Sequence, residues 1–267
     1  NWMAASGDPK QDFALRNGVE ALSKISVDLD VSIPVGKDSL SMKTKWNEEK
    51  NEYEVTSPLS GIISAMAPVE DISHSVTPEL NVDEDSVILV IKINQKNRLA
   101  GSIFSEVTES KYTETPDIDD VKLFKSLFNH IQKLIKDSKI LAMHDISDGG
   151  LVTALAEMCF TKKVGMNIQV DDIDNLNKTL FSEEIGFVIQ VKSDDLDMVK
   201  SSLNTINIYV EEVATIVEES FSILCKEKKV FSESITVLEK YWRETSHAIQ
   251  SIRDNKKIAD SELNLLD

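Results

Sequence analysis

Within seven positions, His144-Asp145-Ile146-Ser147-Asp148-Gly149-Gly150 gathers an imidazole, two carboxylates, a hydroxyl and two glycines. It lies between an apolar run, Ile140-Leu141-Ala142-Met143, and a helical face of Leu151, Ala154, Leu155 and Met158. A Gly-rich turn opening a helix collects free backbone N–H groups at the positive end of the helix dipole, which suits a phosphate. Carboxylates beside a phosphate repel it unless a divalent cation lies between them, and Mg2+ is the usual bridge. The same residues also suit a plain turn, with Asp145 or Ser147 capping the helix and the glycines making the bend.

A second group, Gly36-Lys37-Asp38-Ser39, follows the apolar run Val31-Ser32-Ile33-Pro34-Val35, which reads as a short strand. There Gly36 permits close backbone approach, Lys37 supplies a point charge for phosphate, Asp38 could hold Mg2+ and Ser39 could donate to a substrate oxygen. The spacing is not that of a P-loop, and a surface turn would use the same residues. Gly101-Ser102 could cradle an anion or simply begin a helix, and Glu183-Glu184 could be a metal or base pair or a solvated turn. The four histidines show no zinc spacing, and there is no GxSxG elbow. Cys159 and Cys225 form no CxxC pair, and Cys159 reads as a buried small hydrophobe.

Several elements must position these groups. Asp8-Pro9 predicts a helix through Phe13, Ala21 and Ile25. One or two strands broken at Pro58 are expected from Tyr53 to Val69, then a junction over 70–85. Ser86 to Ile93 reads as a buried strand, and Asp117 as the cap of a helix carrying Val121, Phe124, Leu127, Ile131 and Leu134. Strands follow near 164–170, 186–192, 208–217 and 221–226, with a helix near 194–203 and a closing helix through Ile235, Leu238 and Trp242. From about Asp254 the charged, weakly patterned sequence reads as a tail or linker. Strands and helices interleave without strict βαβ alternation, so the expected class is α/β in mixed α+β layers.

With 267 residues, 41% hydrophobic, the chain can bury a substantial core. Its net charge of -17 argues against a nucleic-acid surface and makes any anionic ligand dependent on a metal or a local cation. No membrane-length apolar run or signal pattern is present, so a cytoplasmic location is expected. The opening Asn1-Trp2-Met3 suggests a piece of a longer polypeptide.

Along nearly its whole length the chain resembles the large, single-polypeptide form of formylglycinamide ribonucleotide amidotransferase (phosphoribosylformylglycinamidine synthase). The resemblance rests on Asn1-Trp2-Met3-Ala4-Ala5, on Ile33-Pro34-Val35-Gly36-Lys37-Asp38-Ser39-Leu40-Ser41-Met42 and on Thr56-Ser57-Pro58-Leu59-Ser60. It continues in His144-Asp145, Ser147-Asp148-Gly149-Gly150-Leu151, Glu183-Glu184-Ile185-Gly186 and Val230-Phe231-Ser232-Glu233-Ser234.

That family implies an aminoimidazole ribonucleotide synthetase-like fold: the end of an N-terminal subdomain (1–70), a complete C-terminal subdomain (71–235), and a closing helix and connector (236–267). It implies ATP/ADP and Mg2+ as cofactors and formylglycinamide ribonucleotide as substrate. The partners would be the first synthetase half and a glutaminase domain of the same polypeptide. By matching position, Gly36, Lys37 and Ser39 would contact substrate, and Ser147, Gly149 and Gly150 the nucleotide. Asp145 and Asp38 would hold metal, with Asp145 and Ser147 at an auxiliary nucleotide site. Two positions depart from the pattern: Ile146 stands where Arg is frequent, and Ser182 where Asn is common. A fragment lacking the other domains is expected to be inactive alone. A non-catalytic nucleotide-binding scaffold, or another synthetase of the superfamily, is the alternative.

Overall fold

Asp8 and Pro9 start the first helix as their order predicts. The Asp8 carboxylate accepts from the Lys10 and Gln11 amides, and α1 runs over Pro9–Asp28. The chain divides into two units, Asn1–Glu70 and Asp71–Asp267, of which this computed structural model describes residues 1–266. In the first, α1 is joined by strands β1 (Trp2–Met3), β2 (Lys43–Glu48), β3 (Asn51–Thr56) and β4 (Ser60–Gly61). β1 pairs with β4, and β2 with β3 as a hairpin across which Trp46 stacks on Tyr53.

One expectation changes in this unit. The strand expected at Val31–Val35 does not form: Val31, Ile33 and Val35 are exposed, and Pro34 offers no N–H to a ladder. Pairing appears only at Ser39 and Ser41, as isolated bridges to Met3 and Ala5. The strands expected between Tyr53 and Val69 are β3 and β4, separated around Pro58, and β2 lies upstream of that range.

The second unit begins with β5 (Ser86–Lys92), then α2 (Ile103–Val107), α3 (Val121–Lys136), β6 (Ala142–Asp145), α4 (Gly150–Phe160) and β7 (Gly165–Val170). It continues through α5 (Leu176–Phe181), β8 (Gly186–Lys192), α6 (Leu196–Asn204), β9 (Tyr209–Val217), β10 (Ser220–Cys225) and β11 (Lys228–Ser234). Two helices close it, α7 (Ile235–Arg253) and α8 (Lys256–Leu263). Seven strands form one sheet in the order β11-β10-β7-β9-β5-β8-β6, with β10 and β7 parallel and the other pairs antiparallel.

The unbroken apolar run of β5 follows from burial on both faces. Ile88 and Val90 join a core with α4, while Leu89 and Ile91 join a second core with α3 and α6. Leu151, Ala154, Leu155 and Met158 of α4 all lie in the first core, and Leu127, Ile131 and Leu134 of α3 in the second. The result is the expected α/β fold of mixed layers.

The cap of α3 is Asp120, whose carboxylate accepts from the Leu123 amide, and not Asp117. The stretch after Asp254 is not a tail. It forms α8, capped by Asn255 and burying Ala259, and its sparse apolar residues left little periodic signal. Among the described residues no helix is long and apolar enough to cross a membrane.

Candidate functional site

The turn between β6 and α4 is fixed by its least polar member. β6 is an edge strand whose last pair with β8 is Asp145 with Phe187, and the Ile146 amide then donates to the Gly186 carbonyl at 3.0 Å. Ile146 turns into the core, at 7% exposure, and anchors the turn by its hydrophobic side chain. Asp145, Ser147 and Asp148 are left exposed.

Gly149 and Gly150 both adopt left-handed backbone, with φ of 84° and 74°. A Cβ on Gly150 would lie 2.6 Å from the Phe181 carbonyl carbon, so no larger residue fits. The Gly149 N–H donates to Glu183 Oε1 at 2.9 Å, and the same oxygen accepts from the Ile103 amide at 2.9 Å. One carboxylate thus serves the N-terminal ends of α2 and α4. His144 lies 2.9 Å from Glu157 through Nε2, and Glu157 also accepts from Trp242 Nε1, so the imidazole is held by structure.

Glu183-Glu184 is therefore not a solvated turn. Glu184 is fully buried and forms a two-pronged pair with Arg98, Nε to Oε1 at 2.6 Å and Nη2 to Oε2 at 2.7 Å. Arg98 also reaches Asp119, at 3.0 and 3.2 Å. Burial pushes the Glu184 carboxyl up, but bonds from Arg98 and Asn94 outweigh it and hold it below the usual glutamate range. Arg98 is correspondingly raised by Glu184. No local pattern marks this pair, because its members are 86 positions apart. Gly101-Ser102 begins α2, with the Ser102 hydroxyl accepting from the Ser105 amide and donating to the Leu99 carbonyl. The Ser182 hydroxyl, at the departure from the family pattern, is buried without a partner.

In the first unit, Gly36 to Ser41 is positioned by the chain's opening residues. Asn1 Oδ1 accepts from the Lys37 amide and Asp38 Oδ1 from the Trp2 amide, both at 2.8 Å. Ser39 exchanges backbone bonds with Trp2 and Ala4, and Lys37 Nζ donates to Ser39 Oγ at 3.1 Å. An ammonium and a hydroxyl are thereby presented together. A Cβ on Gly36 would meet nothing within 4 Å, so packing does not demand glycine there.

Each unit offers one exposed candidate metal carboxylate, Asp38 and Asp145. Among the described residues no group of three or more His, Cys, Asp or Glu could hold a metal by itself. A lone carboxylate at each place supplies at most a part of a metal's shell, so Mg2+ there would take its remaining positions from phosphate oxygens and water. Burial pushes the Cys159 thiol up to about 12, which suits core packing and not nucleophilic chemistry.

Known proteins show the same two-part organisation. Residues 1–68 match the family described as FGAR-AT PurM_N-like domain, and residues 83–226 match AIR synthase related protein, C-terminal domain. Among solved structures, PurL of T. maritima complexed with FGAR is similar at a TM-score of 0.60 and 10% identity, covering 89% of this chain and 38% of that one. The T. maritima PurL complex with ATP gives 0.58 and 13%, covering 89% and 36%. HypE of E. coli, a hydrogenase maturation protein, gives 0.55 and 14%, covering 85% and 70%. The chain thus spans well under half of the PurL chains, and identities this low speak for the fold alone.

Proposed function

We propose, from the premise that the chain belongs to the AIR synthase related family through residues 83–226, that it is the second-half synthetase region of a formylglycinamide ribonucleotide amidotransferase. The observation that carries this reading is the order of the two family matches, with the FGAR-AT type at residues 1–68 directly preceding the AIR synthase type. The whole enzyme is a C–N-forming ligase of purine biosynthesis that uses glutamine as amido donor, releases ADP and phosphate, and works in the cytoplasm. PurL bound to FGAR, ATP and ADP supports substrate and nucleotide of these classes.

In this reading 1–70 completes one ATP-binding subdomain, 71–235 is a second subdomain, and 236–267 leads toward a glutaminase domain. Gly36, Lys37 and Ser39 contact substrate, Lys37 as cation and Ser39 as hydroxyl donor. Asp145 and Asp38 hold Mg2+, which supplies charge neutralisation between phosphate and carboxylate. Ser147 stands at an auxiliary nucleotide site, where Gly149 and Gly150 shape the backbone beside it. The exposed apolar residues of the first unit, Phe13, Val27 and Ile63 among them, leave surface for the other domains to cover. The isolated chain is then inactive.

The test is ADP release by the larger polypeptide with ATP, Mg2+ and glutamine, with and without formylglycinamide ribonucleotide. Release that depends on that substrate is expected, and release indifferent to it sinks the assignment. In the same assay Ser39→Ala is expected to lower turnover about tenfold or more through a lost substrate contact. Asp145→Asn should chiefly reduce the ADP retained through purification. Unchanged nucleotide content in that variant removes Asp145 from the auxiliary site.

A further inference from the structure

Within the second unit the sheet forks. β7 and β9 pair from Gly165 with Val217 only as far as Ile168 with Ala214, after which β7 continues beside β10 and β9 beside β5. The parting coincides with a register shift between β5 and β9, where Ile88 faces Ala214 but Leu89 faces Glu212, leaving Val213 as the extra residue of a bulge. Bulges bend a strand and re-aim its side chains, and here the bend opens a cavity of about 410 Å³ in the fork.

The cavity wall includes Lys92, which is 3% exposed. Its ammonium donates to Asn97 Oδ1 at 3.2 Å, and among the described residues no carboxylate forms an ion pair with it. Burial draws its pKa below the ordinary lysine range, against the opposing pull of Glu184 and Glu211. Both carboxylates are otherwise engaged, Glu184 by Arg98 and Glu211 by the Tyr209 hydroxyl. A buried cation without an ion-pair partner is costly, and a ligand anion would relieve that cost.

The cavity as a whole is balanced. Three ammonium groups (Lys92, Lys96, Lys178) and three carboxylates (Asp171, Asp172, Glu211) line it. Lys96 is committed to Asp119, while Asp171 and Asp172 are exposed at the end of β7. A dianion such as phosphate would meet Lys92 and Lys178 but would also face Asp171, Asp172 and Glu211. A molecule carrying one charge of each sign fits the layout better.

We propose that this fork binds a zwitterionic, amino-acid-sized metabolite, whose carboxylate is received by Lys92 and whose ammonium is received by Asp171 and Asp172. The site stands apart from Ser39 and Asp145 in the sequence and does not depend on the amidotransferase reading.

Calorimetric titration of the full chain with glycine, L-serine, L-asparagine and L-glutamate tests it, with acetate, ethylammonium and inorganic phosphate as comparison probes. At least one amino acid is expected to saturate, with acetate and ethylammonium each at least about tenfold weaker. Lys92→Met should weaken that amino acid by about tenfold or more. Should Lys92→Met not fold, Asp171→Asn on the exposed rim should weaken the amino acid and leave acetate unchanged. The proposal is overturned by phosphate binding in preference, or by no saturation with any amino acid up to about 10 mM. It is equally overturned if a folded Lys92→Met, or Asp171→Asn, binds the amino acid as the parent does.

Discussion

The two units treat their apolar residues in opposite ways. In Asn1–Glu70, Ala4 and Ala5 are the buried residues, and α1 buries none over its twenty positions. In the second unit, α3 buries Leu127, Ile131 and Leu134, and the sheet carries a core on each face. Both helices have good N-caps from aspartate. The difference teaches that caps and spacing establish a helix, whereas burial needs an opposing surface, which the seven-stranded sheet provides and the short strands of the first unit do not.

The contrast is broken most severely at the Arg98–Glu184 pair. Arg98→Met leaves a carboxylate at 0% exposure without its partner and should cost about 3–5 kcal/mol in urea unfolding of the second unit. An unfolding midpoint equal to the parent's would show that the pair contributes nothing. Next comes a matched pair of core and surface truncations. Leu127→Ala should cost about 2–5 kcal/mol, whereas Phe13→Ala, at 67% exposure, should stay within about 0.5 kcal/mol in the same chain. Equal losses would mean that α1 is covered after all.

The smallest effect concerns pH in the first unit. Hydrogen bonds from Lys43 and Lys45 hold the Glu54 carboxyl down at about 2, against an ordinary 4.5. A depressed carboxyl stabilises the folded form above its unfolded value and loses that contribution as pH falls through its folded one. The β2–β3 hairpin should therefore loosen between pH 4.5 and about 2, a surface effect weakened by salt. Amide chemical shifts of the hairpin check this, and a Glu54→Gln variant should lack the transition.

How far the sequence disclosed this depends on range. α3 and α4 were legible because their apolar residues recur at the helical period, and β5 because a short unbroken apolar run marks a strand buried on both faces. The strand expected at Val31–Val35 failed because a β-rich composition does not supply a pairing neighbour. α8 escaped notice because eight residues with one buried alanine carry almost no pattern. At the candidate site, the turn from Asp145 to Gly150 and the Glu183-Glu184 pair were readable as chemistry, but the partners of that pair were not. Glu183 acts on Gly149 from 34 residues away, and Arg98 on Glu184 from 86.

The two-faced burial of β5 has a consequence for how this chain can change. Successive side chains along that strand are dealt alternately to different cores, Ile88 and Val90 to one, Leu89 and Ile91 to the other. A point substitution there is a local matter, felt on one side of the sheet. A single-residue insertion or deletion is not, since it exchanges the two sets and mismatches both cores together. Evolution can thus retune either side of this sheet independently by substitution, while the length of β5 is effectively frozen.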